Sequence, residues 1–438
     1  MAEPTNTPMP TAPPTPRSGS PVPALPTSGQ QSLTSSPTTT RRPQQWPNPY
    51  PPPPPPPPHS QAHSRATSLT VPMHLHLHPH PLPGGAGGGP KPVVLHIGDP
   101  IQYNLETYAE FAARFDVVRP SAEERTRAAF VAALRERRWG DFAAVFRPAW
   151  GSGGEMGHWD AELVDLLPDS VRVFASAGAG FDWADVKVLG EKGIIYCNAG
   201  PAAAEAVADF AVALVVSTFR ALPYCVSSAA APDTFRAAHE RATALSHNLR
   251  GHVLGLVGFG HVGQQVARRC AAAFAMEIAY YDVERKSAAA ETEAAAGAGT
   301  GRARYCDSLE ALVRAADCVV LCAPAAAGRV VDEESLRWFK PGARLVNVAR
   351  GALVDEDALA DALEQGRLSS IALDVHADEP AVSERLLKFA GTKALLTCHN
   401  AGGTVETHAG FEELSMRNIM AVLGGHEAIT PVNLEWLK

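Results

Sequence analysis

From residue 93 onward the chain alternates short apolar runs with stretches in which apolar positions recur at helical spacing. Residues 93–97, 142–146, 171–175 and 194–197 are four such runs, of strand rather than helix length. A second series at 253–257, 278–281, 318–322, 345–348, 371–375 and 395–397 adds six more. Runs that are apolar throughout, rather than at every other position, predict strands buried on both faces. Alternation with helices then predicts parallel sheets covered by helices on each side. Residues 204–219 are so rich in Ala, Val and Phe that their helix should be buried and join the two series. Further helical patterns occupy 264–274 and 411–423, and the Ala/Gly-rich stretch 287–301 is predicted to be a surface excursion with no chemistry.

Before residue 93 the texture is different. Residues 1 to 90 hold most of the 38 prolines, with unbroken proline from 51 to 58, then His74, His76, His78 and His80 and a glycine-rich stretch. Such a segment buries too little apolar area to offset the entropy of ordering it, so polyproline II and coil are expected. A passive linker is the expected role, ahead of a ligand for a proline-reading domain. The alternating histidines have no scaffold to fix a metal, and no metal site is expected.

Bulk properties narrow the function. A length of 438 residues suits two domains plus a tail, and a formal charge of -8 provides no basic surface for nucleic acid. Seven cysteines form neither a disulfide framework nor paired CxxC spacing, which fits a reducing compartment. No run of about 18 apolar residues suggests a membrane span. The N-terminus lacks the pattern of a cleaved targeting peptide. A cytoplasmic protein without nucleic-acid or membrane partners is expected.

Gly258, Phe259, Gly260, His261, Val262 and Gly263 spell GxGxxG directly after the run 253–257 and at the head of a helical stretch. In that context the glycines allow a tight turn and close approach of backbone to a pyrophosphate, and the helix N-terminus favours its charge. Asp282 follows the next strand, where a carboxylate accepts hydrogen bonds from the adenosine ribose and repels a 2′-phosphate. NAD is the expected cofactor. NADP stays open, because Arg285 and Lys286 lie in the same loop.

Three polar residues fall just after strands of the second series: Arg350, Glu379 and His399. Open α/β sheets bind ligands at these strand ends. Singly, they read as a loop ion pair, a turn acid before Pro380 and a packed histidine. Together they make a set for a keto acid, in which Arg350 holds a carboxylate and polarises the carbonyl, His399 exchanges the hydroxyl proton, and Glu379 orients the imidazole.

The segments 346–351 (VNVARG) and 373–380 (LDVHADEP), followed by His399, resemble the D-2-hydroxyacid dehydrogenase family over nearly all of 93–438. Residues 177–183 (AGAGFDW), 246–248, 250–255 and 406–407 are most like fungal D-mandelate dehydrogenase-type 2-keto acid reductases. The resemblance implies that amides at Gly178, Ala179 and Gly180 meet the substrate carboxylate, that Ala349 and Asp374 contact the cofactor, and that the protein is a homodimer. Phe181 and Trp183 read equally as lining of an apolar substrate pocket or as core.

The fold class that follows is α/β. Two doubly wound parallel-sheet domains are expected, a Rossmann nucleotide-binding domain (221–399) inserted into a flavodoxin-like substrate domain (92–220 and 400–438), behind a disordered tail (1–91). Asn400 departs from the family's aliphatic residue, Asp209 from its glutamate, and residues 322–328 are unusually plain for the loop beneath a nicotinamide. The expected activity is reversible hydride transfer between NAD(P) and a 2-hydroxy/2-keto acid, either aromatic or glyoxylate/hydroxypyruvate-like. The alternative is a non-enzymatic NAD(H)-sensing scaffold of the corepressor type, which keeps the same three residues.

Overall fold

The structure, a computed structural model, describes residues 90–149, 151–229 and 234–438. The expectations for the proline-rich tail and its histidines lie outside these residues.

Twelve strands among the described residues form two sheets, parallel throughout. The first sheet contains β1 (Val93–His96), β2 (Asp116–Val118), β3 (Ala144–Arg147), β4 (Val173–Ser176) and β5 (Ile195–Cys197), in the order β2-β1-β3-β4-β5. That is the flavodoxin-type winding, with its reversal between β1 and β3. The second holds β6 (Val253–Val257), β7 (Glu277–Tyr281), β8 (Arg304–Tyr305), β9 (Cys318–Leu321), β10 (Ala343–Asn347), β11 (Leu368–Leu373) and β12 (Ala394–Leu396). Their order, β12-β11-β10-β9-β6-β7-β8, is the dinucleotide-binding winding, reversing between β6 and β9. Seven strands stand where six were expected, because the two-residue edge strand β8 carries no apolar run.

All four residues of β9 and all five of β10 are buried, as helices covering both faces require, and β10 buries the polar Arg344 and Asn347 beside its apolar residues. The helix Gly200–Phe219 begins four residues before the expected 204, with Gly200 and Pro201 opening its first turn. By length and composition it is apolar enough to cross a membrane, where no such stretch was expected. Half of that apolar window is buried inside the fold, and Ala208, Ala211, Leu214, Val215 and Phe219 join one core cluster with Val266 and Cys270 of the helix His261–Phe274. The C-terminal helix runs Val405–Leu423, six residues earlier than its apolar pattern, because the Thr404 side chain caps it by accepting from the Thr407 amide.

The stretch 287–301 is not a bare surface excursion. It contains the helix Ala288–Ala294, capped by Ser287, and Ala294 and Ala295 are buried in the sheet's core cluster. Alanine carries little amphipathic contrast, so the pattern concealed this packing. Glu291 on that helix is fully buried.

Candidate active site

Arg350 follows β10, Glu379 follows β11 and His399 follows β12, at the same end of three adjacent parallel strands. Asn347, Leu373 and Leu396 lie side by side in register, so Arg350 and His399 each stand three residues beyond that row.

His399 Nδ1 lies 2.7 Å from Glu379 Oε2. The other carboxylate oxygen, Oε1, accepts the His376 amide at 3.0 Å. Partial burial alone raises the Glu379 carboxyl, but the hydrogen bonds from His399 and the His376 amide outweigh it and hold the group below its ordinary value. The acid is therefore an anion aimed at one ring nitrogen. His399 adopts φ +54°, a left-handed conformation that a side chain makes costly. Asp374 over-determines it. Its carbonyl accepts the His399 amide at 2.7 Å, Oδ1 accepts Thr397 Oγ1 at 2.7 Å and the Asn400 amide at 3.0 Å, and Oδ2 accepts the Ala401 amide at 2.8 Å. With three donors on its carboxylate and 1% exposure, Asp374 is first of all the clamp of the histidine loop.

Arg350 reaches across to the first sheet. Its Nε donates to Asp182 Oδ1 at 3.1 Å and Nη1 to the Ala349 carbonyl at 2.7 Å. Asn347 holds the turn beneath it, accepting the Ala349 amide at 3.0 Å and donating to the Arg350 carbonyl at 2.8 Å. A Cβ on Gly180 would stand 1.3 Å from Arg350 Nη2, so the guanidinium occupies the space a side chain would fill. The loop after β4 is fixed from behind by Asn198 Nδ2 donating to the Ala179 carbonyl at 2.8 Å and the Ala199 amide donating to the Gly178 carbonyl at 2.8 Å. No hydrogen bond among the described residues takes the amides of Gly178, Ala179 or Gly180. A guanidinium beside amides left without a partner among the described residues has the chemistry of an anion cradle, although Gly178 itself is buried.

The glycine turn lies at the reversal point of the second sheet. Gly258 has φ +89°, and a Cβ there would meet the Ala323 nitrogen at 2.8 Å and the Cys322 carbonyl carbon at 2.9 Å, so the turn packs directly on the chain leaving β9. A Cβ on Gly263 would strike the Gly258 carbonyl oxygen at 2.3 Å, whereas one on exposed Gly260 would meet nothing within 4 Å. The open face at Gly260 and the exposed helix start at His261 fit a pyrophosphate. Phe259 turns inward and stacks on Tyr280, ring centres 4.0 Å apart, so only its backbone belongs to the turn's outer face. Val262 packs partly against the core. Asp282 Oδ2 accepts the Phe259 amide at 2.7 Å and faces Lys286 Nζ at 3.4 Å. Buried Ala349 lines the turn that leads to Arg350.

Phe181 and Trp183 pack against the core of the first sheet. Trp183 meets Phe174 edge-on at 5.9 Å, Phe181 lies 6.2 Å from Tyr196, and the Arg147 guanidinium covers the Trp183 ring at 4.6 Å. Asp209 pairs with Arg269. A Cβ on Gly403 would collide with the exposed Asn400 side chain, which lies over the backbone there. Asp182, Asn347 and His376 carry polar contacts to the three central residues that motif reading did not assign. All three lie inside the family-like stretches 177–183, 346–351 and 373–380, which was the signal for them. Among the described residues no group of three or more His, Cys, Asp or Glu could hold a metal.

Residues 212–401 match the family described as D-isomer specific 2-hydroxyacid dehydrogenase, NAD binding domain. A glyoxylate reductase from Thermococcus kodakarensis is 36% identical over 284 residues, 64% of this chain and 81% of that protein. The holo form of D-mandelate dehydrogenase from Rhodotorula graminis superposes with a TM-score of 0.74 at 38% identity, covering 78% of this chain and 98% of that one. An NADPH-dependent glyoxylate/hydroxypyruvate reductase from Sinorhizobium meliloti, in complex with NADP and malonate, superposes with a TM-score of 0.59 at 28% identity, covering 80% and 98%. These relatives are oxidoreductases, which gives the sensing alternative no support. The chain belongs to the D-isomer-specific 2-hydroxyacid dehydrogenase family, NAD(P)-dependent oxidoreductases acting on the CH–OH group of 2-hydroxy acids.

Proposed function

We propose that Arg350, Glu379 and His399 carry out reversible reduction of a 2-keto acid to the D-2-hydroxy acid. Arg350 and the amides of Gly178, Ala179 and Gly180 hold the substrate carboxylate, and the guanidinium polarises the neighbouring carbonyl. His399 gives its ring proton to the carbonyl oxygen as the alcohol forms, and takes it back in oxidation. Glu379 keeps Nδ1 of that ring as donor and stabilises the protonated ring. The single observation that carries this is the pairing of the 2.7 Å His399–Glu379 contact with a guanidinium seated in the space left by Gly180.

A bound nicotinamide cofactor supplies or accepts the hydride. Residues 258–263 would hold its pyrophosphate, Asp282 its adenosine ribose, and Ala349 and Asp374 its nicotinamide side, Asp374 through the lone pair left on Oδ2. Asp282 favours NAD. The names of the relatives favour either an aromatic 2-keto acid or glyoxylate and hydroxypyruvate. Phe181 and Trp183 pack against the core yet stay only partly buried, so either could still offer a face to a large substrate side chain.

The domain limits 92–220 with 400–438, and 221–399, assign one sheet to each domain. A homodimer is supported by exposed Leu222, Val226, Phe235 and Leu245 on the helices Leu222–Ala229 and Phe235–Leu245. A cytoplasmic location is supported by seven unpaired cysteines. The test is absorbance of the reduced nicotinamide with phenylglyoxylate, 4-methyl-2-oxopentanoate, glyoxylate and hydroxypyruvate, each with NADH and NADPH. Multiple turnovers are expected with at least one pair. His399→Ala should abolish them while leaving NADH binding intact, and equal loss of both would remove His399 from its assigned role.

A further inference from the structure

The loop after β7 carries two cations beside the carboxylate at 282, and the structure disposes of them differently. Lys286 faces Asp282 at 3.4 Å. Arg285 turns the other way, onto Glu291: Nε donates to Oε1 at 2.9 Å and Nη2 to Oε2 at 3.2 Å. Arg302 also pairs with Oε2, its Nε at 2.6 Å, and the Tyr280 hydroxyl donates to Oε1 at 2.8 Å. The Glu291 side chain is completely buried and its carboxyl is pulled down to about 2, first by Arg285 and then, against burial, by Tyr280 and Arg302. The arrangement is continuous with the cofactor turn. Tyr280 stacks on Phe259, and its hydroxyl accepts the Lys286 amide at 2.9 Å.

We propose that Glu291 is a positioning residue for cofactor choice, holding the Arg285 guanidinium away from the 2′-position of the adenosine ribose. Arg285 lies three residues beyond Asp282 on an exposed loop, and its side chain is 56% exposed, so the two-point bond to Glu291 is its main anchor, beside a looser contact with the Tyr305 ring at 5.9 Å. A buried carboxylate facing two guanidiniums has a strong claim on both, because a buried charge left unpaired is far costlier than an exposed one. Released from that bond, an arginine at this place meets a 2′-phosphate with the bidentate geometry that suits it. Discrimination against NADP is thus set by two carboxylates, Asp282 repelling the phosphate and occupying Lys286, and Glu291 drawing away Arg285, the loop's other cation. This rests on the assignment of Asp282 to the adenosine ribose.

The test is calorimetric binding of 5′-AMP and adenosine 2′,5′-bisphosphate, which differ only in the 2′-phosphate. Glu291→Gln keeps the shape and removes the charge. It should tighten the bisphosphate roughly tenfold to a hundredfold, the range of a charge-assisted hydrogen bond, with 5′-AMP little changed. Adding Arg285→Ala should cancel the gain. An equal change in both ligands, or a gain that survives in the double variant, overturns the proposal. Should Glu291→Gln fail to fold, Arg285→Ala alone decides: bisphosphate affinity should be unaltered, and about a tenfold loss would mean that Arg285 already reaches the phosphate. Failure of 5′-AMP to bind the unaltered protein would instead remove the assignment of Asp282, and the proposal with it.

Discussion

Gly180→Ala separates the stability of the fold from the placement of its guanidinium. The new Cβ would lie 1.3 Å from Arg350 Nη2, 2.5 Å from Cζ and 2.9 Å from Asp182 Oδ1, so the three cannot coexist. Backbone strain does not enter, because Gly180 is outside the left-handed region. The group that must move is the end of a flexible side chain, whose ion pair with Asp182 is 28% and 48% exposed on its two sides and worth at most about 1 kcal/mol. Against that, exchanging Gly for Ala at a permitted backbone conformation stabilises by about 0.4–1 kcal/mol. Net stability should therefore change by less than about 1 kcal/mol. Catalysis should respond differently, because a displaced guanidinium no longer meets the substrate carboxylate. Loss of one preorganised donor to developing charge costs about 3–4 kcal/mol, or roughly a hundredfold to a thousandfold in kcat/KM. Urea unfolding and steady-state NADH oxidation measure the two quantities, with Gly299→Ala as a control where a Cβ meets nothing within 4 Å. Arg350→Ala sets the ceiling, and the double variant should be no worse than Arg350→Ala alone. If Gly180→Ala keeps kcat/KM within about threefold of the original, well under 1 kcal/mol, the seat of Arg350 is not what the substrate needs.

Two further outcomes follow from buried groups. Asp374→Asn leaves one acceptor oxygen for the three donors now held by the carboxylate, so at least one amide or hydroxyl loses its partner. Stability should fall by about 2–3 kcal/mol in urea unfolding and kcat should fall as the His399 loop loosens; unchanged values of both would refute the clamp. His96 is fully buried, with Nε2 2.9 Å from the Asp99 carbonyl and Nδ1 without a partner among the described residues, and burial lowers it to about 4. Below its ordinary value of 6.5 the unfolded chain takes a proton that the native chain refuses until about 4, so this contribution is complete above 6.5 and is lost as pH falls towards 4. Unfolding free energy should drop by roughly 2 kcal/mol between pH 7 and pH 5, and His96→Gln should flatten that slope; an unchanged slope would refute the assignment.

What could be read from the chain was what physical patterning makes local. β6, β9 and β10 stood out because strands covered on both faces must be apolar at nearly every position. Edge strands have no such need, and β2, Asp116–Val118, and β8, Arg304–Tyr305, passed unnoticed. Arg350, Glu379 and His399 were legible because the ends of parallel strands are shared ground, whatever the intervening sequence. Contacts between distant segments were not. Asp182 and Arg350 are 168 residues apart, and the buried carboxylate of Glu291 lies in a stretch whose alanines and glycines read as surface. A carboxylate is ordinarily outside, and only the cations and hydroxyl that converge on Glu291 reverse that expectation.

The same distinction explains where the site is rigid and where it is open to adjustment. The histidine side is tied down twice. Asp374 grips the Thr397 hydroxyl and the amides of His399, Asn400 and Ala401, and a few residues on Thr404 starts a helix whose Glu412 carboxylate accepts the amides of Gln102, Tyr103 and Asn104 at 2.7, 2.9 and 2.9 Å. Met416, Ile419 and Met420 of that helix then enter the core of the first sheet. The segment leaving His399 is therefore tied to the loop after β1 at Glu412 and to the core of the first sheet from Met416, seventeen residues on. Arg350 is anchored only to the second sheet, and it meets the first through a half-exposed ion pair and a missing side chain. If the guanidinium must release Asp182 to take a substrate carboxylate, an exposed and weak pair is the right partner, since a buried one would compete with the substrate for the same charge.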